Sequence, residues 1–223
     1  MSDSMYGQGK MSSVTRPPSG HRERRAAAEL RVLEATESLL RDGRRFTELA
    51  VESIASAAGV ARSTFYVQFS DKSDLLIRLA ARATDELFAA SDDWWEHDHS
   101  GGTGPLAEVM LRMTRIYRRH AAVLGAVAEV AGYDEAVAAF WRQRLDGYAE
   151  YMRGQLEAEQ RSGRVAPEVD PRSTAFIVVW SVERSVAEHV RARAPRHDPA
   201  FSRQLARTAW LAIYADTTQR DER

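Results

Sequence analysis

Residues 46–79 read FTELAVESIASAAGVARSTFYVQFSDKSDLLIRL, and this stretch decides the fold. Its hydrophobic spacing predicts two short helices, over 51–58 and 62–69, separated by a tight turn. Gly59 lies in that turn, where the backbone often needs a positive φ that glycine adopts readily. A helix, a tight turn and a second helix form the helix-turn-helix arrangement.

The two sides of the second short helix are expected to have different roles. Phe65 and Phe69 are four residues apart, so they lie on one side of the helix and anchor it to the core. The remaining side chains are left for the outer faces: Arg62, Ser63, Thr64, Tyr66 and Gln68. The major groove of DNA, about 12 Å wide, admits one such helix, and short polar side chains near its N-terminus can reach base edges.

Several residues in and beside this motif resemble the signature of the TetR family of transcriptional regulators. They are Ile54-Ala55, Ala58-Gly59-Val60, Thr64-Phe65-Tyr66, Phe69, Lys72 and Leu75-Leu76. Within that family, the C-terminal half is most similar to the branch of the mycobacterial regulator EthR. The matching residues are Trp141, Tyr148, Tyr151, Glu157-Ala158-Glu159, Val182-Glu183-Arg184-Ser185, Trp210 and Ile213-Tyr214.

The resemblance implies roles for individual side chains. Ser63 and Thr64 stand where the recognition helix meets bases, and Arg62 stands where it can bond a guanine edge or a phosphate. Tyr66 and Lys72 match positions that usually hold the DNA backbone. Further candidates for phosphate contacts are Arg44, Arg45 and the arm residues Arg22, Arg24 and Arg25.

Other readings of these residues stay open. Ser63 and Thr64 are also suited to capping the helix N-terminus, and Lys72 is also suited to being a solvated lysine. Two positions depart from the family pattern: Ala61 replaces a frequent serine, and Val51 replaces a frequent phosphate-contacting threonine. These departures suggest a slightly weaker hold on the DNA backbone.

Beyond residue 21 nearly every segment has helical spacing, and none has the sustained alternation of a strand. We therefore predict an all-α fold of about nine helices, with an N-terminal helix-turn-helix domain and a C-terminal helical bundle. Besides the two short helices, the predicted helices cover 22–42, a segment from about 71, 105–120, 121–131, 134–162, 171–193 and 199–216. In the first, the expected apolar stripe is Leu30, Leu33, Ala35, Leu39 and Leu40.

Glycine, proline and polar residues from His97 to Pro105 predict a loop, with a domain boundary just before it. The expected domains are a weakly basic arm over 1–21, a helix-turn-helix domain over 22–70 and a connecting helix over 71–96. The remainder, 97–223, is expected to bind a ligand and to dimerise.

Composition narrows the function classes. The chain has 223 residues, 44% of them hydrophobic, which is enough for a sizeable core. Because it contains no cysteine, disulfide scaffolds, thiolate zinc sites and cysteine nucleophiles are excluded. Its net charge of −1 does not indicate a nucleic-acid partner, although the N-terminal arm is weakly basic. It has no apolar run long enough for a membrane span or signal peptide, so we expect a cytoplasmic protein without a membrane partner.

The C-terminal helices are rich in aromatic residues. On the 134–162 helix, Trp141, Tyr148 and Met152 belong to an apolar stripe, and such a stripe is more often packed core than pocket. The resemblance, however, implies an elongated ligand cavity. The lining candidates are Met113, Tyr117, Trp141, Leu145, Tyr148, Val179, Val182, Glu183 and Trp210.

The resemblance also suggests what this cavity binds. EthR-like relatives offer polar amides near the positions of Val179 and Val182, so an apolar cavity and a hydrophobic or amphipathic effector are expected here. Glu183 is either a polar anchor or the partner of Arg184 or of an arginine on a neighbouring helix.

The segment Ala175–Trp180 is apolar on all sides of its helix, so it needs two packing partners. The resemblance implies a symmetric homodimer through the 171–193 and 199–216 helices, and hence a roughly palindromic DNA operator. A ligand would then favour an arrangement in which the 71–90 helix moves the recognition helices out of register with DNA. This describes a repressor released by its effector.

Three other functions are compatible with parts of the sequence: an enzyme, a protein-binding adaptor and an activator. An enzyme would need a site, and the one candidate is a metal site among Asp92, Asp93, Glu96, His97, Asp98 and His99. A solvated polar linker accounts for that cluster better, and no nucleophile elbow or phosphate-binding loop is present, so neither metal nor cofactor is expected. A protein-binding adaptor with this fold and an activator of the same family remain alternatives.

Overall fold

A computed structural model describes residues 19–95 and 102–218 of the chain. Within these ranges the chain forms nine α-helices and two 3-10 turns, and no strand. The elements are α1 (Ser19–Arg41), a 3-10 turn (Phe46–Glu48), α2 (Val51–Ala57), α3 (Arg62–Gln68), α4 (Lys72–Trp95), α5 (Thr103–Arg119), α6 (Ala121–Val130), α7 (Glu135–Arg161), α8 (Pro171–Ala192), a second 3-10 turn (Pro195–His197) and α9 (Asp198–Thr218). The predicted all-α fold is confirmed, and the helix ends lie within three residues of the predicted ones.

The first core holds the N-terminal helices together. Val32 of α1, Ile54 of α2, Phe65 of α3 and Leu75 of α4 are completely buried in it. Val127 of α6 belongs to the same cluster, so α6 forms the surface on which these helices rest.

The second core lies within a bundle in which α5 packs along α9 and α7 packs along α8. Leu156 of α7, Val186 of α8 and Ile213 of α9 are among its buried residues. The second half of α4 supplies Leu87 and Trp94 to this core. The helix α4 therefore contributes to both cores.

The apolar face of α1 differs from the prediction. The buried residues are Ala28, Val32, Leu33, Thr36 and Leu40. Leu30 was predicted to lie on this face but is 43% exposed. It lies two residues from both Ala28 and Val32, which at about 100° per residue places it on the opposite side of the helix.

The predicted loop also ends earlier than expected. Gly102 adopts a φ of +68°, and α5 begins at Thr103, so Pro105 belongs to the helix. Proline is tolerated there because backbone N–H groups of a first turn have no partner within the helix. Residues 96–101 of the predicted loop lie outside the described residues.

In the described ranges, no helix has both the length and the apolar character needed to cross a bilayer.

Candidate nucleic-acid interface and internal cavity

The turn between α2 and α3 has the geometry that the sequence predicts. Gly59 has a φ of +63°, and the backbone N–H of Val60 donates to the carbonyl of Ala55 at 3.0 Å. Ala61 then extends the chain, with φ −70° and ψ 150°, and α3 begins at the next residue. Ala61 provides no side-chain cap, so α3 depends on its packing for stability.

The inner side of α3 is fixed by aromatic packing. The ring centroids of Phe65 and Phe69 are 5.3 Å apart, and both side chains are almost fully buried. This contact leaves the opposite side of a seven-residue helix facing solvent.

That outer side carries Arg62, Ser63, Tyr66 and Val67, all of them exposed, with Thr64 half-buried at its edge. Tyr66 is 48% exposed and its ring meets the ring of Phe65 edge-on, which fixes its direction.

The prediction that Gln68 faces outward is wrong, because this side chain is only 9% exposed. Gln68 follows Phe65 by three residues and therefore lies on the same side of α3. Val67, which was not predicted to face outward, takes an outward position instead.

Arg62 is held in place by two neighbours. It pairs with Glu52 of α2, and its guanidinium lies 5.6 Å from the centroid of the Tyr66 ring. Hydrogen bonding to Tyr66 and the charge of Glu52 both raise the pKa of Arg62. The side chain is thus oriented along the outer side of α3.

The other predicted cations lie around the N-terminal 3-10 turn. The ammonium of Lys72 donates to the carbonyl of Thr47 at 3.3 Å and lies 5.0 Å from the centroid of the Phe46 ring, and burial lowers its pKa. Arg44 is exposed. Arg45 pairs with Glu129 of α6 at 2.7 Å, a partner that the sequence did not reveal.

One residue of the N-terminal region comes close to α3. The guanidinium of Arg25 donates to the carbonyl of Val67 at 3.3 Å, near the C-terminal end of α3. The structure therefore brings a candidate phosphate-binding arginine from α1 next to the exposed helix.

An internal cavity of about 100 Å³ lies among α4, α5, α7, α8 and α9. Eight of the nine predicted lining residues reach it: Met113, Tyr117, Trp141, Leu145, Tyr148, Val179, Val182 and Glu183. On α4 its lining runs from Thr84 to Trp95, which at 1.5 Å per residue is about 16 Å. The small volume spread over that length makes the cavity narrow.

Trp210 is not brought to the cavity. Its neighbours Ala209 and Ile213 line the wall, whereas the Trp210 ring packs against Trp94 and Tyr214, with centroids 6.2 Å and 4.4 Å away. Trp210 follows Ala209 by one residue, a rotation of about 100° around α9, so its ring lies beside the cavity wall and not in it.

The share of the wall that α4 supplies was not predicted from the sequence. Thr84, Leu87, Phe88, Ser91, Trp94 and Trp95 all line the cavity. The apolar stripe of α4 continues well beyond the residues that pack in the first core. This additional length of the stripe is the sequence signal that could have identified these lining residues.

The wall is mostly apolar, with a few polar groups. The hydroxyl of Tyr148 donates to Ser91 of α4, and burial raises the pKa of Tyr148 to about 12. Burial likewise raises the pKa values of Tyr117 and Glu183. Glu183 is the one carboxylate among the described residues that line the cavity.

In the part of the chain that is described, no group of three histidine or acidic side chains could hold a metal ion. Asp92 and Asp93 belong to α4, whereas Glu96, His97, Asp98 and His99 lie outside the described residues.

Comparisons with known proteins agree with this arrangement. Residues 33–79 match the family described as bacterial regulatory proteins, tetR family. The HTH-type transcriptional regulator EthR of Mycolicibacterium smegmatis is 36% identical over 70 residues, which are 30% of this chain and 32% of that protein. EthR of Mycobacterium tuberculosis is 26% identical over 158 residues, 69% of this chain and 72% of that protein.

The same fold occurs among solved structures. The transcriptional regulator FadR from Bacillus subtilis, solved in complex with stearoyl-CoA, superposes with a TM-score of 0.66 at 19% identity. The match covers 82% of this chain and 98% of that one.

Proposed function

Because the chain is a TetR-family transcriptional regulator, we propose that it represses transcription by binding a roughly palindromic operator as a homodimer, and that a hydrophobic small molecule releases it. The match to this family of regulators supports a regulator rather than an enzyme.

One observation carries this proposal: α4 belongs to both cores. Leu75 and Leu76, near its start, pack in the core that holds the exposed helix α3. Leu87 and Phe88, three turns later, line the cavity. A ligand that changes the position of the cavity wall therefore acts on the same rigid helix that supports α3.

In the proposed DNA complex, the outer side of α3 enters the major groove. Ser63 and Thr64 read base edges, and Arg62 bonds a guanine or a phosphate. Tyr66 and Lys72 hold the backbone, and Arg44 and Arg45 add phosphate contacts. Gln68 has no part in this contact because it is buried.

The proposed homodimer uses α8 and α9. Phe176 and Ile177 on α8 are 52% and 59% exposed, and Leu211 on α9 is 50% exposed. Large apolar side chains left in solvent on two adjacent helices favour a protein interface. A second copy of the chain placed there by two-fold symmetry would present two α3 helices to one DNA duplex.

The proposed effector occupies the cavity. Its wall is formed mainly by aliphatic and aromatic side chains, which favours a hydrophobic ligand. The complex of the Bacillus subtilis neighbour with stearoyl-CoA supports a hydrophobic ligand for a regulator of this fold.

The test starts from a selection of binding sites from a random DNA library, followed by titration of the selected site at several salt concentrations. We expect sequence-specific binding and an inverted repeat among the selected sites. A Tyr66→Phe, Lys72→Ala double variant should bind more weakly, with a salt slope about one unit shallower. Tyr133→Phe, which alters another exposed tyrosine, is the matched control and should bind like the wild type.

The outcome also separates the alternatives. Failure to select any sequence would contradict the regulator proposal and favour a protein-binding adaptor. Specific binding that a cavity ligand strengthens would favour an activator.

A further inference from the structure

The cavity has one polar end, formed by Tyr117 of α5 and Glu183 of α8. Both side chains line the cavity, and the charge of Glu183 contributes to raising the pKa of Tyr117, after the larger effect of burial. Among the described residues, neither the Tyr117 hydroxyl nor the Glu183 carboxylate has a hydrogen-bond partner. Two polar groups in an apolar wall are thus left for whatever fills the cavity.

Contacts between helices locate this polar end. α5 runs antiparallel to α4, because Arg112 donates to the carbonyl of Ala90 at 2.9 Å whereas Arg119 pairs with Glu86. Tyr117 therefore lies level with the middle of α4, at the end of the cavity nearer the N-terminal core.

Glu183 lies near the same end. Gln160, at the end of α7, donates to the carbonyl of Val169 just before α8, and the indole N–H of Trp180 donates to Asp146 of α7 at 3.2 Å, so α8 runs antiparallel to α7. Glu183, almost one turn beyond Trp180, is therefore nearer to Trp141 than to Met152 along α7. Trp141 packs against both cores, so the polar end of the cavity adjoins the support of α3.

Glu183 is not neutralised by a neighbour. Arg184 is exposed, and its position one residue along α8 directs it away from the cavity. Its charge lowers the pKa of Glu183, but burial has the larger effect and the pKa stays above its usual value. A half-buried carboxylate without a partner is costly, and a cation placed beside it removes that cost.

We propose that this polar end is an ammonium site and that the effector is a hydrophobic amine or quaternary ammonium ion. The cation pairs with the carboxylate of Glu183, and the apolar body extends along the narrow cavity toward Trp94. Tyr117, Trp141 and Tyr148 provide aromatic rings, which attract organic cations. This inference rests on the proposed function in one respect, namely that the cavity is the effector site.

The experiment compares three probes that share one alkyl chain: decyltrimethylammonium, decanol and decanoate. Each is titrated below its micelle-forming concentration into the full-length protein, and binding is followed by tryptophan fluorescence and calorimetry. We expect the ammonium probe to bind at least about tenfold more tightly than the alcohol or the carboxylate.

Two variants assign that preference to Glu183. Glu183→Gln keeps the size of the side chain and should lose the ammonium preference, while decanol binds as in the wild type. Glu188→Gln removes an exposed carboxylate from the same helix, where it pairs with Arg191, and should keep the full preference. Thermal unfolding without ligand shows that each variant is folded, and Glu183→Gln should be at least as stable as the wild type.

The inference is overturned if decanol or decanoate binds as tightly as the ammonium probe, if no probe binds, or if Glu183→Gln keeps the preference. These measurements contain no DNA, so they fail independently of the regulatory proposal. An ammonium preference without any effect on DNA binding would leave the site intact and contradict effector release. If decanol released DNA and the ammonium probe did not, effector release would stand and the ammonium site would be contradicted.

Discussion

The ring of Tyr148 on α7 lies flat against the ring of Phe88 on α4, with centroids 4.5 Å apart and planes inclined by 12°. The Tyr148 hydroxyl also donates to Ser91, so α7 holds the cavity side of α4 at two points. Because the start of α4 is buried in the core that holds α3, this contact connects the cavity to the proposed DNA-binding helix.

Replacement of Phe88 should weaken that connection. Phe88→Leu keeps an apolar side chain but removes the stacking, so we expect a loss of about 1 kcal/mol in the free energy of unfolding. Operator affinity without ligand should stay near that of the wild type, whereas the ligand-induced loss of affinity should shrink by about threefold or more. Operator titrations with and without a cavity ligand measure both quantities.

Phe201→Leu is the matched control. The ring of Phe201 on α9 stacks on the ring of His189, with centroids 3.9 Å apart, and lies outside the cavity wall. Its replacement should therefore lower the free energy of unfolding by a similar amount but leave the ligand response intact. Equal ligand responses in the two variants would contradict a role for the Phe88 contact in coupling.

A charge on the exposed face of α8 should prevent dimerisation. Ile177→Glu places a carboxylate where the proposed interface buries an aliphatic side chain, so sedimentation should show a monomer. Operator affinity should fall by at least about tenfold, because one α3 helix per molecule cannot contact both half-sites. Tyr133→Glu adds the same charge to an exposed site away from α8 and α9 and should remain a dimer.

The ion pair between Arg45 and Glu129 should limit DNA affinity. Both side chains are partly exposed, so the pair itself contributes at most about 1 kcal/mol to stability. Glu129→Gln removes the carboxylate that competes with phosphate for Arg45, so we expect tighter DNA binding. Arg45→Ala should weaken binding and make the salt slope shallower by about one unit, and an unchanged slope in that variant would rule out a phosphate contact by Arg45.

Asp198 should make the bundle sensitive to acid. Its carboxylate accepts hydrogen bonds from Arg118 of α5, at 2.6 and 3.0 Å, and lies 2.9 Å from His189 of α8. Burial alone would raise its pKa, but the hydrogen bonds and charges of these two neighbours outweigh burial and hold the pKa below the usual 3.8.

A carboxylate with a lowered pKa stabilises the folded state above its unfolded pKa, and that contribution is lost as the pH falls through the folded value. We therefore expect the free energy of unfolding to decrease as the pH is lowered below about 4. Asp198→Ala should cost about 3 kcal/mol at neutral pH and show a weaker acid dependence, measured by urea unfolding between pH 3 and 7. An acid dependence equal to that of the wild type would show that Asp198 is not its source.

The fold was predictable because its signals are local. The helical spacing of apolar residues and the breakers at Gly43, Gly59, Gly163 and Pro171 fix where helices begin and end. The turn at Gly59 and the buried pair Phe65 and Phe69 likewise depend on neighbours within a few residues.

The differences arise where a position depends on distant partners. Arg45 pairs with Glu129, which lies 84 residues further along the chain, and no local sequence pattern indicates that contact. Gln68 and Trp210 were placed by role rather than by angle around their helices: Gln68 lies on the same side of α3 as Phe65, and Trp210 lies beside the cavity wall rather than in it. The cavity wall on α4 exists only because α5 and α7 pack against it.

The most direct test of this account is the operator affinity of the wild-type protein with and without a saturating ligand that fluorescence shows to occupy the cavity. The account predicts that the dissociation constant for the operator rises by at least about tenfold, a coupling free energy of about 1.4 kcal/mol. An unchanged dissociation constant at saturation would contradict the central claim that the cavity and the DNA-binding helix are connected through α4.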